Sequence, residues 1–221
     1  RLLSSYPESL SRAAGKALRR LGVEVKTEAF VDGITENGVS VGGTHIPTKT
    51  VVWAAGNLAS PLLGSLGAPL DQQGRVVVGD DCTVSGHPEI FVLGDAACFD
   101  HQEGGPLPGL SPVAIQMGRH AAKTIHRDLA GQPRRPFQYR DKGQLAVIGR
   151  GRAVADIGRL HFSGFFAWLT WIFVHIFFLI GFRNRIIVLM EWAWSYITFQ
   201  HGARLITGEG DHRGLVGGKP T

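Results

Sequence analysis

Apolar positions recur at helical spacing through residues 5–21. Leu10, Ala13, Ala14, Ala17, Leu18 and Leu21 share a side, while Lys16, Arg19 and Arg20 fall elsewhere on the wheel. This predicts a helix closed by Gly22. Residues 23–27 alternate like a strand. Short strands are predicted at 30–34 and 38–41 around the turn Glu36-Asn37-Gly38. Residues 50–55 are apolar and stop at Gly56, the pattern of a strand buried on both faces. A short helix is expected at 60–66, with Pro61 at its first position. Strands follow at 75–78 and 90–93, the second ending in Gly94-Asp95. After a loop rich in Gly and Pro, a helix is predicted at 111–129, stopping at Gly131. Residues 131–136 read as a linker, and 144–149 and 153–157 as two strands turned at Arg150-Gly151. Residues 160–181 hold no Lys, Arg, Asp or Glu and read as one apolar helix, meeting the roughly 20 residues a bilayer span needs. Residues 183–199 read as an amphipathic helix with interfacial tryptophans, Trp192 and Trp194. The tail from Gly208 is polar and Gly-rich and is expected to be disordered.

Charge changes the picture at the C-terminal end. The chain carries +5, and Arg150, Arg152, Arg159, Arg183, Arg185 and Arg204 flank or follow the apolar segment. That placement favours anionic lipid headgroups as the partner, with no nucleic acid expected. Two cysteines without a CxxC give neither a disulfide framework nor metal-type spacing, and fit a reduced, cytoplasmic-facing protein. The chain begins at Arg1 without an initiator Met or a signal sequence, and is read as the C-terminal part of a longer protein.

Four places offer chemistry. Gly94 at a strand end permits close backbone approach, and Asp95 can accept hydrogen bonds from sugar-like hydroxyls, with the small Ala96 and Ala97 behind; an ordinary Gly-Asp turn is the plainer alternative. Ser111 as N-cap and Pro112 as first helical residue would leave the amides of Val113 and Ala114 for an anion or a carbonyl oxygen. On that helix Arg119 and His120 read as solvated, and Gln116, one turn in, could face a cofactor. Ala55 and Gly56 end a buried strand, where core packing is the blander account. Lys142 could orient a quinone carbonyl, or stand as an exposed turn lysine. His161 and His175, in the apolar segment, read as partly buried donors, and no metal site is expected.

The pieces VVWAAG (51–56), IFVLGDAA (90–97), LPGLSPVAIQMGRHAA (107–122), FQYRDKGQLAVIGRGRAV (137–154) and WLTWIFVHIFFLIGFRNR (168–185) together resemble the type II NADH dehydrogenases, FAD-dependent NADH:quinone oxidoreductases. The resemblance implies an α/β fold: a partial two-dinucleotide-binding-domain (Rossmann-like) flavoprotein with a C-terminal membrane-associating helical region. Residues 1–59 would complete an NADH-binding domain and 60–130 an FAD-binding domain. Residues 131–158 would form a β segment completing the flavin/quinone region, with membrane-associating helices at 159–206 and a disordered tail at 207–221. Gly94 and Asp95 would meet the FAD ribitol, Ala96 would also contact the cofactor, and Val113 and Ala114 would meet the isoalloxazine ring. Gln116 and Lys142 would be the catalytic pair in a quinone pocket shared with Leu145, and Ala55 and Gly56 would lie on the NADH side. Ser111-Pro112 replace an Ala-Gln found in many members, so one quinone-facing glutamine is missing. No GxGxxG occurs, which places both dinucleotide fingerprints upstream of Arg1. The implied reaction is hydride transfer from NADH to FAD, then two electrons and two protons to a membrane quinone. The implied location is the cytoplasmic face of the inner membrane, with peripheral or monotopic attachment. A homodimer through the C-terminal helices is left open. The competing readings are a sulfide:quinone oxidoreductase, which needs redox cysteines near the flavin, and a non-catalytic membrane-anchoring module.

Overall fold

The chain forms two compact units, one of Arg1–Val25 with Gln144–Thr221 and one of Lys26–Gly143. The computed structural model describes residues 1–56, 58–178 and 182–198. The expected tail at 207–221 and the ends of both expected C-terminal helices lie outside the described residues.

In chain order the elements are α1 (Glu8–Arg20), β1 (Val31–Thr35), β2 (Gly38–Val41), β3 (Thr44–Pro47), β4 (Val76–Val77), β5 (Thr83–Val84), β6 (His87–Phe91), β7 (Ala97–Cys98), α2 (Ser111–Leu129), β8 (Gln144–Gly149), β9 (Arg152–Ile157), β10 (Leu160–Gly164), α3 (Phe165–Phe178) and α4 (Phe182–Thr198).

In the first unit β10, β9 and β8 form an antiparallel sheet in that order. The two-residue period of β9 sends Val154 to one face and Ala153 and Ala155 to the other. Val154 packs with Tyr6, Leu10 and Ala14 of the α1 region. Ala153 and Ala155 pack against Ala167 of α3, all three at most 1 % exposed, with Leu145, Phe162 and Trp168 around them. Three methyl side chains at this contact let the α3 backbone lie close to the sheet.

The reading of 160–181 as one helix is corrected here. Residues 160–164 are β10, paired to β9, and His161 faces Asp156 across the strands at 3.1 Å. Gly164, at φ +88°, turns the chain into α3. The apolar run lacked a signal separating strand from helix. Among the described residues no helix is long and apolar enough to cross a membrane.

In the second unit β1, β2 and β3 form an antiparallel meander. β4 pairs in parallel with β7, and β5 antiparallel with β6. These short strands and α2 enclose a core of Val76, Val78, Val92, Phe99, Val113, Met117 and Phe137, among others. Two expected strands are absent. Residues 23–27 are irregular, and so are residues 50–55, where Val52 is 84 % and Trp53 64 % exposed. A strand needs a hydrogen-bonding neighbour as well as apolar side chains, and among the described residues no strand lies beside 50–55. The helix at 60–66 is a 3-10 helix, Pro61–Leu66, capped by Ser60, whose hydroxyl accepts the Leu62 N–H.

Arg134 secures the edge of this core. Its guanidinium donates to Asp81 at 2.9 Å and to Asp128 at 2.6 Å, and lies over the Phe91 ring. Burial would raise the Asp81 carboxyl, but hydrogen bonds from Thr83 and Arg134 outweigh it and hold it below the usual carboxylate range. A depressed folded-state value stabilises the protein above the unfolded value, about 3.9, and that contribution is lost as pH falls through the lower folded value. Arg134→Gln is expected to lower stability by about 1–3 kcal/mol near neutral pH. Thermal melts against pH should show the gap to the parent closing below about pH 4.

Candidate functional site

β6 leads the chain through Val92 and Leu93 into a 3-10 turn, Gly94–Ala96. Gly94 has φ +63°, and a Cβ built there would lie 2.9 Å from the Ala114 Cβ of α2. Its N–H points at the Met117 sulfur, 3.2 Å away. The missing side chain therefore lets the turn rest on the first turns of α2. Asp95 is then presented, exposed, to a cleft of about 340 Å³ lined by Leu58, Ala59, Gln73, Arg75 and residues 106–109. A Cβ at Gly109 would come within 3.3 Å of the Asp95 carboxylate, so glycine there leaves the carboxylate room.

Arg75 ties two walls of the cleft together. Its Nε donates to Asp71 at 2.7 Å and its Nη1 to the Leu107 carbonyl at 3.1 Å. Asp71 also accepts the N–H groups of Gln73 and Arg75. Burial would raise the Asp71 carboxyl, but the hydrogen bonds from Arg75 and Gln73 prevail and lower it. Arg75 is thus largely spent on structure. Among the described residues no side chain donates to Asp95, which lines the cleft.

The expected arrangement at the start of α2 is corrected. The helix begins at Ser111, Leu110 holds the N-cap position, and no side chain caps it. Pro112 has no N–H, and the amides of Val113 and Ala114 both donate to the Leu110 carbonyl, at 3.0 and 3.1 Å. Val113 itself is buried in the core. His120, expected to be solvated, is half-buried against Phe137, and burial pushes its imidazole below its ordinary value.

Gln116 is engaged elsewhere than expected. Its Nε2 donates to the Arg140 carbonyl and its Oε1 accepts the Arg140 N–H, both at 3.0 Å. Gln102 treats Tyr139 the same way, at 3.3 and 2.7 Å. Nothing in the local pattern around Gln102 pointed to this, because its partner lies 37 residues away. Lys142 is exposed in a turn closed by the Gly143 N–H on Asp141 at 2.8 Å. Leu145 belongs to the other unit, packed beside Ala155 and Trp168. Ala55 and Gly56 lie in the exposed 50–56 segment and do not line the cleft.

The family model described as pyridine nucleotide-disulphide oxidoreductase matches residues 1–118. The chain belongs to this family. A second model, the NDH2 C-terminal domain, matches residues 142–199. The type II NADH:quinone oxidoreductase Ndh of Mycobacterium tuberculosis is 40% identical over 90% of the chain and 44% of its own length. NdhA of the same organism is 38% identical over 94% of the chain and 46% of its own length. The chain therefore spans about half the length of these curated relatives. Among solved structures, NDH2 of Plasmodium falciparum in complex with NADH superposes with a TM-score of 0.76 at 14% identity, over 88% of this chain and 56% of that one. That likeness shows the fold, an α/β dinucleotide-binding flavoprotein fold.

The two cysteines of this pyridine nucleotide-disulphide oxidoreductase family member are free and buried. Burial, with Asp81 and Asp80 nearby, pushes the Cys82 thiol up to about 12. Cys98 is also raised, chiefly by burial, despite Arg75 beside it. Both are protonated at neutral pH, and neither lines the cleft. Among the described residues no group of three or more His, Cys, Asp and Glu could hold a metal ion.

Proposed function

We propose that the chain is the C-terminal portion of a membrane-attached NADH:quinone oxidoreductase that passes a hydride from NADH to FAD and two electrons on to a membrane quinone. The observation that carries this reading is the Gly94-Asp95 turn, seated on α2 and opening onto the polar cleft, in a chain of the type II NADH dehydrogenase kind. FAD, when bound, supplies hydride acceptance and two-electron release. The residues present fit it. Asp95 offers a carboxylate with open lone pairs to the hydroxyls of a ribitol chain, and Gly94, Ala96 and Gly109 give the backbone room. Ala55 and Gly56 lie on the NADH side of this reading, and Lys142 and Leu145 on the quinone side. Residues 1–59 belong to the NADH-binding domain, 60–130 to the FAD-binding domain and 131–158 to the β segment that completes the flavin and quinone region.

Residues 159–206 attach the enzyme to the cytoplasmic face of the inner membrane. The fourteen residues of α3 extend about 21 Å, short of the roughly 30 Å hydrocarbon core. Phe166, Phe173, Met190 and Trp194 are more than 60 % exposed, a surface suited to lying in the interface, with Arg183 and Arg185 for anionic headgroups. A sulfide:quinone oxidoreductase is disfavoured by two buried, protonated cysteines.

The test uses the full-length protein purified from membranes. Its flavin absorbance is expected to bleach with NADH and recover with a quinone. Asp95→Ala is expected to weaken flavin retention by about 10- to 100-fold, the worth of one charge-assisted hydrogen bond or a pair. Bleaching by sulfide but not by NADH, or a purified protein that holds no flavin, overturns the reading.

A further inference from the structure

The segment running to Lys142 forms no helix or strand from Phe137 to Arg140, and among the described residues no strand lies beside it. Its main-chain groups are taken up differently. The Phe137 N–H donates to the Asp80 carbonyl at 2.7 Å. The next two bonded residues are each held by a glutamine. A carboxamide carries an acceptor and a donor side by side, as a peptide group does, so it can pair with both the N–H and the C=O of one residue. Gln102 holds Tyr139 in this way and Gln116 holds Arg140.

Two residues further on stands Lys142, whose Cα can lie no more than about 7.6 Å from that of Arg140. The Asp141–Gly143 hydrogen bond closes the turn around it, with Gly143 at φ +94°. Lys142 is thus set inside a closed turn, two residues beyond a clamped one. Gln116 lies two residues after Ala114, the residue on which Gly94 rests. The first turns of α2 therefore bear on the Gly-Asp turn and on the Lys142 segment together.

We propose that Gln102 and Gln116 are positioning residues that splint residues 139–140 and thereby set where Lys142 stands, so that Gln116 acts on quinone reduction through Lys142 and not by touching the quinone. This rests on the reading above that Lys142 works at the flavin–quinone junction.

The test uses the full-length, flavin-loaded enzyme and follows the two half-reactions by stopped flow. Gln102→Leu and Gln116→Leu are expected to leave flavin reduction by NADH within about twofold of the parent. Flavin reoxidation by a soluble quinone should slow on the order of 10- to 100-fold, mainly in kcat, the scale expected for a displaced reacting group. Gln116→Glu keeps an acceptor for the Arg140 N–H and should fall between, and it serves for the same comparison if Gln116→Leu does not retain flavin. The deciding measurement is the pair with Lys142→Met. If Gln116 works through Lys142, adding Gln116→Leu to Lys142→Met changes reoxidation by less than about twofold. Effects that multiply, or a rise in quinone KM with kcat unchanged, overturn the proposal and point to direct contact. Reoxidation at the parental rate in Lys142→Met alone instead overturns the role of Lys142, and the proposal with it.

Discussion

Gly94→Val is expected to destabilise the protein by about 2–5 kcal/mol, with loss of flavin at temperatures the parent withstands. Two effects combine. At φ +63° an L-residue is strained by roughly 1–2 kcal/mol, and a β-branched one more. The new Cβ would also meet Ala114 at 2.9 Å, with the helix Cα behind it at 3.6 Å. Helix backbone cannot give way as a flexible side chain can, so overpacking adds roughly 1–3 kcal/mol. The two parts separate experimentally. Ala114→Gly should recover the steric part of Gly94→Ala and leave the backbone strain. Denaturant unfolding of the four proteins, with flavin content measured alongside, checks this, and an Ala114→Gly background that recovers nothing contradicts the contact.

Phe99→Ala is expected to have a comparable effect, about 3–5 kcal/mol. Phe99 is fully buried, with Phe137 and His101 packed edge-on at 5.2 and 5.0 Å. The side chain fills the centre of the second unit's core, and truncation leaves a cavity its neighbours cannot close. The consequence reaches the cleft, because the Phe99 carbonyl accepts the Leu107 N–H at 2.9 Å, and Phe137 starts the segment that leads to Lys142. Phe99→Leu keeps most of the volume and should cost less than about 1.5 kcal/mol. A denaturant series comparing the two variants checks the ratio.

Local signals were legible wherever the determinant was local. Pro112 and Gly131 bracket α2, and the helix occupies Ser111–Leu129 as its pattern predicts. The Glu36-Asn37-Gly38 turn and β8 follow their patterns in the same way. Most failures concern a partner that the local pattern does not name. Residues 50–55 announce a wish to be buried but cannot say what would bury them. Residues 160–164 are a strand because β9 is beside them, which an apolar run does not disclose. At the candidate site, Gly94 and Asp95 could be found from the apolar strand that delivers them. Gln116 was found but given the wrong neighbour, since a polar side chain on a helix does not reveal that its partner is a backbone 24 residues on. The Val113 and Ala114 amides were misjudged because cap position decides their fate, and the cap sits one residue earlier than Ser111 suggests.

The alanine contact between β9 and α3 acts as a depth gauge. Ala153 and Ala155 beneath and Ala167 above determine how far α3 stands from the sheet, and Phe166 and Phe173 ride on that helix. Each methylene added at any of the three would lift the aromatic row outward, as a shim lifts a shelf. On the membrane attachment proposed above, how deeply those rings would reach into lipid is governed from inside the protein, by residues that lipid would never meet.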